Sequence, residues 1–430
     1  MKSVISRKTY IFIFFVILFL AQNRLQQWAG VFQYLDELFA LLIIPALLYW
    51  IIKKKEKVTW TKQQICFFAL LAIFWLSGWG GYVIYHYQPL SNAAKDAYVN
   101  LKFFLAAGAS FLIFADKELN FEQLKKKLWP VLNGIVVILF VFCLADLCFG
   151  IFSKETRYGM RAIKLFYSAY TILVGECVFL SAIYLWFFEQ KRKKIIPPLV
   201  MLAFIMLSTR RIKSVGAVAC ILMVYLLVFY KEKKLSKKVK IFTGCVLLIA
   251  LFAGVYQVIS YYIMMGTESA RAVLTIGAPF IAKDHFPFGS GWGTYGSAFS
   301  ADPYSPVYGM YQMDGVWGIS PEYHEFVSDT FWPMILGECG IFGLLAFIGV
   351  CALIVKKVFI LKSSKSAFAS SLIPLLYLLI SSSSESAFAN PIAVPFAFWM
   401  GFLFAEQYVK ESKDRGLDCE IKSKIDKSLQ

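Results

Sequence analysis

Histidine, carboxylates and charge of either sign are all scarce in this chain. Of 430 residues, 3 are His, 27 are Asp or Glu and only 17% are charged, while 59% are hydrophobic. A soluble domain cannot hide that much apolar surface, so the bulk of the chain is expected inside a membrane. The nine cysteines form no Cys-x-x-Cys or other metal-ligand spacing, and most, such as Cys143, Cys220, Cys245 and Cys351, lie in apolar runs. This excludes a zinc site and a disulfide framework, and leaves them as small buried hydrophobes. Asp-x-Asp is absent. The GSGWG at 289–293 has no Lys-Ser/Thr after it and no βα unit around it, which excludes a phosphate loop for a nucleotide.

What the chain has instead is apolar runs of spanning length, since about 20 such residues cross a bilayer core as a helix. Twelve are read, at 9–22, 34–52, 64–85, 98–115, 128–152, 166–189, 195–209, 215–230, 241–262, 330–355, 367–384 and 392–409. The fold class is therefore an all-α polytopic membrane protein, one integral-membrane domain over 1–430 with a tail at 410–430. The N-terminal run resembles a signal peptide, but in so hydrophobic a chain it is read as a retained first helix.

Basic clusters at Lys53–Lys57, Lys125–Lys127, Lys191–Lys194, Lys231–Lys238 and Lys356–Lys357 fall at alternate ends of the runs. The positive-inside rule then places both termini in the cytoplasm. The net charge of +17 reflects this topology and attraction to anionic lipid. It is no nucleic-acid signal, because the basic residues form no continuous face.

One connection stands apart: residues 264–329, expected outside, rich in Gly, Pro and Tyr, with seven acids and only two bases, Arg271 and Lys283. A long ordered loop on a helical frame is usually functional. Its Trp292 and Tyr295 either stack on sugar rings or pack the loop itself. Three cations, Arg210, Arg211 and Lys213, stand at the outer hairpin between the seventh and eighth runs, where the charge rule disfavours them. They read either as an interfacial anchor or as an anion site, and an arginine fork suits phosphate. Arg271 opens an amphipathic stretch with Ala272, Leu274, Ile276 and Phe280, and is either paired with Glu268 or a second fork on the same anion. His86 and His285 read as structural. His324 precedes a run with glycines at 337, 340 and 343, whose small face permits close contact and would hold the imidazole rigidly, as a general base requires. Acids within the runs, Asp36, Glu37, Asp146, Glu176, Glu338 and Glu385, are functional candidates by default. Asp36 and Glu37 are placed at an interface, and Glu338 either pairs with an arginine or lines a cavity.

In order and on one side, the Arg211-x-Lys213 hairpin, the stretch from Arg271 to PFGSGWGTY and YHEFVSDTFWPMILGECGIFGLL together resemble the family of O-antigen ligases and of O-antigen and capsular polysaccharide polymerases. YLDELFALLI at 34–43 is similar to a second span common among the polymerases. The resemblance implies a metal-independent, cofactor-free glycosyltransferase of the bacterial cytoplasmic membrane. Its donor and acceptor would be glycans on undecaprenyl diphosphate at the outer leaflet, and its neighbours a flippase and a chain-length regulator. Departure of a diphosphate needs cations and one base, not a pair of carboxylates. It implies Arg211 and Arg271 on the diphosphate, Arg210 and Lys213 assisting, His324 as base and Glu338, Trp292 and Tyr295 in support. Many ligases carry His-Asn or His-Ser where this chain has His324-Glu325, so polymerase and ligase both stay open. A secondary transporter is the rival of another class, against which stand the absence of matching broken spans and a nine-to-three division by the long loop. A non-catalytic scaffold for polysaccharide assembly is a further one.

Overall fold

The computed structural model describes residues 6–53, 61–116, 119–230 and 241–428, apart from 242–243, 246–247, 249–250, 253 and 257, and side chains up to 413. Most of Lys53–Lys57, all of Lys231–Lys238 and part of the ninth apolar run therefore lie outside the described residues. Among the described residues the fold is nearly all-α, with one two-stranded hairpin, Thr156–Arg157 against Met160–Arg161.

Among the described residues six helices are long and apolar enough to cross a membrane: Arg7–Trp28, Gly30–Ile52, Lys62–Tyr85, Phe121–Phe149, Ile212–Phe229 and Trp332–Ser363. Leu90–Val99 and Lys102–Phe114, bent by 49°, make a seventh if taken together. Shorter apolar helices, Tyr170–Trp186, Ile196–Ser208 and Lys365–Ser381, stand at three further expected runs, and Ala393–Ser428 begins at the last. Tyr170–Trp186 is buried at every position from Leu173 to Trp186, the pattern of a helix enclosed by others. It packs on Ile196–Ser208 and Lys365–Ser381, while Lys62–Tyr85 lies along Trp332–Ile360 and Lys102–Phe114 along Ala393–Ser428.

At one end of the bundle the basic and acidic groups of several connections meet. Trp186 donates to Glu406 at 2.7 Å, Lys125 lies 4.5 Å over the Trp186 ring, and Lys410 pairs with Glu406. Inside the bundle, Asp36 is fully buried and pairs with buried Lys102 at 2.6 Å, while Gln22 donates to its other oxygen at 2.8 Å. Asp36, expected at an interface, is enclosed by protein at the start of the second apolar run and ties that run to the fourth.

The long loop is not draped over the bundle but keyed into it. The helix Trp332–Ile360 is broken at Gly340, whose φ of 63° and ψ of −168° are open only to glycine. The break leaves the carbonyls of Gly337 and Glu338 to accept from Ser290 N at 2.8 Å and Gly291 N at 3.0 Å. A Cβ on Gly289, itself at φ +76°, would lie 2.5 Å from the Gly337 carbonyl oxygen. Trp292 is fully buried against Gly78 and donates to the Trp75 carbonyl at 3.1 Å; Tyr295 is fully buried and donates to the Leu274 carbonyl. Neither ring is open to a sugar. The glycine-rich face expected to hold His324 instead receives this loop, with Gly337 beneath the Tyr295 ring and Gly340 beneath the Pro287–Gly289 backbone.

Candidate functional site

Four connections converge at the other end of the bundle. The hairpin at 209–212 is the tightest. Arg210 sits at φ +54° after the helix Ile196–Ser208, and Arg211 is the N-cap of Ile212–Phe229. The Thr209 hydroxyl donates to the Met206 carbonyl at 2.7 Å and lies 2.5 Å from the Ser214 hydroxyl, which closes the corner from within. Both arginines are thereby set at its apex, beside the positive end of an 18-residue helix.

A cavity of about 490 Å³ opens there, lined by Arg157, Arg210, Arg211, Lys213 and Arg271 together with Tyr158, Tyr170, Tyr256 and Tyr261. The four cations singled out in the sequence thus do meet. The Arg211 guanidinium lies 4.1 Å from the Tyr170 ring centre and Arg271 4.5 Å from that of Tyr261, contacts that fix each plane. Arg271 does not pair with Glu268; its Nε and Nη2 both donate to Asp329, at 3.0 and 2.8 Å. Lys213 donates to the Ser384 carbonyl at 3.2 Å and stands 3.5 Å from Glu385. Glu155 accepts from Arg157 at 2.7 Å and from Tyr170 at 2.7 Å, with Arg211 at 3.5 Å. Five cations against these three carboxylates leave an excess of two positive charges. The Nε atoms of Arg210 and Arg211 are buried without a hydrogen-bond partner.

Arg157 went unnoticed in the sequence. It is carried by the hairpin 156–161, whose turn residues Tyr158 and Gly159 both have positive φ, the two-residue turn that suits twisted strands. Arg161 anchors the hairpin by donating to the Asp146 and Leu147 carbonyls at the end of Phe121–Phe149. A signal was available: Arg157 and Arg161 also fall in a connection that alternation of the apolar runs would place outside, where the charge rule disfavours cations.

Hydrogen bonds from Arg157 and Tyr170, with the Arg211 charge added, hold the Glu155 carboxyl below the ordinary carboxylate range. A folded-state pKa below the unfolded one stabilises above the unfolded value and is lost as pH falls through the folded one. Glu155→Gln should therefore lower the melting temperature slightly at neutral pH and converge with wild type as the pH falls below 4.5, which flattens the acid side of the profile. The effect is small, because Glu155 is 44% exposed and water screens it.

His324 is not among the residues lining the cavity. Its Nδ1 is 3.1 Å from the Pro321 carbonyl oxygen and its ring 6.2 Å from that of Tyr304. Asp329, five residues on, connects its segment to the cavity through Arg271. Glu338 is not among the residues lining this cavity and pairs with no arginine among the described residues: fully buried, it accepts from Tyr295 N at 3.0 Å beside Asp96, which accepts from Gly293 N at 2.8 Å. The two carboxyls staple the loop to the bundle. His285 is buried and satisfied by Ile281 and Tyr87, and His86 ends the helix Lys62–Tyr85 at φ +50°, so both have structural places. On the helix Ala270–Asp284, Ala272 and Leu274 face inward as expected, whereas Ile276 and Phe280 are more than half exposed. Among the described residues no group of three or more His, Cys, Asp and Glu is placed to hold a metal ion. No protein-family model matches this chain, and no curated protein matches it.

Proposed function

We propose that this protein is a glycosyltransferase of the bacterial cytoplasmic membrane that joins oligosaccharide repeats carried on undecaprenyl diphosphate, with twelve spans, cytoplasmic termini and the cation cavity at the outer face. The observation that carries the reading is the cavity itself: five cations, an excess of positive charge and two unpartnered guanidinium donors at the end of a membrane bundle. A diphosphate at a lipid surface is an anion of fitting charge, and bidentate arginines recognise it better than lysines do. The topology agrees with the contacts, since the connections that alternation assigns to the outside are those that meet there.

The chemistry follows from the groups. The imidazole of His324 takes the proton of an acceptor hydroxyl as its oxygen bonds to the anomeric carbon of the donor. The bond from that carbon to the diphosphate oxygen breaks, and the charge gathering on the diphosphate is received by Arg211 and Arg271, with Arg210, Lys213 and Arg157 around them. Glu155, Asp329 and Glu385 hold these side chains in place until the anion arrives. Because His324 stands outside the lining, the acceptor sugar must extend from the cavity to the loop segment 320–325.

His324→Ala is expected to lower polymer formation about a hundredfold at unchanged protein level, the smaller end of what a positioned base supplies. Surface polysaccharide resolved by gel, beside the lipid-linked pool, reads this directly. Loss of long chains with build-up of single repeats supports a polymerase. Long lipid-linked chains that fail to transfer identify a ligase, and unchanged long chains exclude both.

A further inference from the structure

With Trp292 and Tyr295 buried, the aromatic surface available to a sugar lies elsewhere in the long loop. Trp317 is 66% exposed, outside every candidate span. One face of its indole is stacked on Tyr323, with ring centres 4.8 Å apart and planes 20° from parallel, and Phe326 meets it edge-on at 5.1 Å. A Cβ on Gly318 would run into the Phe326 ring, so the chain after Trp317 is held close to that ring. The ring is thus fixed on one side and open on the other.

Carboxylates flank it in the chain. Tyr323 donates to Glu325 at 3.0 Å, and Asp314, Glu322 and Glu325 are all exposed. Burial, together with the charges of Asp314 and Glu322, pushes the neighbouring Tyr304 phenol up. No Lys or Arg occurs between residues 284 and 355, so the sign here is opposite to that of the cation cavity. His324 follows Tyr323 directly, and its ring faces Tyr304.

We infer that Trp317 and Tyr323 form a carbohydrate-binding platform that holds the acceptor end of the glycan beside His324. A pyranose ring offers an apolar face of C–H groups, which matches an open indole, and a rim of hydroxyl donors, which match carboxylate acceptors. The negative surroundings keep the diphosphate away and leave it to the arginines, so the two ends of the substrate pair are sorted by charge. This inference rests on the glycosyltransferase reading for its function, though not for its binding measurement.

The test uses the full chain purified in detergent and, as probe, the oligosaccharide released from the host's own surface polysaccharide by removal of its lipid. Quenching of tryptophan fluorescence and saturation-transfer NMR report binding without turnover. Trp317→Ala should weaken binding at least about tenfold, or 1.4 kcal/mol, while Trp317→Phe, which keeps a ring, should recover most of it. Equal binding by wild type and Trp317→Ala, or no binding by wild type at millimolar probe, overturns the platform. Failure of the glycosyltransferase reading is a separate result: Arg211→Ala would then leave the polymer intact whatever Trp317 binds. Melting curves of each variant confirm that an exposed ring was removed from a folded protein.

Discussion

Arg211→Ala is expected to abolish long surface polysaccharide, lowering turnover by about a hundred- to a thousandfold, the usual loss when one preorganised donor to developing charge is removed. On the proposed reading Arg211 is expected to carry the largest share, for geometric reasons. It caps the helix Ile212–Phe229, its plane is fixed over Tyr170, and its Nε is a buried donor without a partner. Arg211→Lys should restore little, because an ammonium keeps the charge but not the fork. Initial rates with purified lipid-linked repeats check the size of the effect, and gel profiles from cells check its direction. Retention of more than a tenth of the wild-type rate in Arg211→Ala would remove this residue from the diphosphate site.

The second large effect concerns stability. Lys102→Met should lower the free energy of unfolding by about 3–5 kcal/mol, the range for removing one partner of a buried ion pair. Lys102 is 2% exposed and Asp36 fully buried, so the orphaned carboxylate would find no water. Gln22 supplies one hydrogen bond but no charge. The double variant Lys102→Met with Asp36→Leu should recover only part of the loss, since it removes the fully buried carboxylate while Glu37, 3.5 Å from Lys102, still loses its cation. Unfolding in detergent, followed by circular dichroism, measures both. If the single variant were as stable as wild type, Asp36 would have to reach solvent by a route that its burial does not reveal.

Hydropathy made the helices legible, because membrane burial imposes a strong local signal on each span. Charge placement made four of the five cavity cations legible: Arg210, Arg211, Lys213 and Arg271 stood out as bases in connections expected to face outward. Arg157 obeys the same criterion and was hidden only by the short hairpin that carries it. What sequence could not convey was depth and partnership. Trp292 and Trp317 have the same side chain in the same loop; one is sealed between two helices and the other stands in the open. Likewise the spacing of Gly337, Gly340 and Gly343 announces a close approach but not what approaches, here Pro287–Gly289 and Tyr295 for the first two. Asp36 was legible as a costly residue, whereas its partner lies 66 positions away, a distance no local pattern spans.

That separation bears on how the chain enters the membrane. A carboxylate or an ammonium alone in a span raises the cost of insertion by about 2.5–3.5 kcal/mol. Asp36 leaves the ribosome long before Lys102, so until Lys102 arrives its carboxylate has the Gln22 hydrogen bond but no cation. A nascent chain halted before Lys102 therefore lacks the charge that answers this acid.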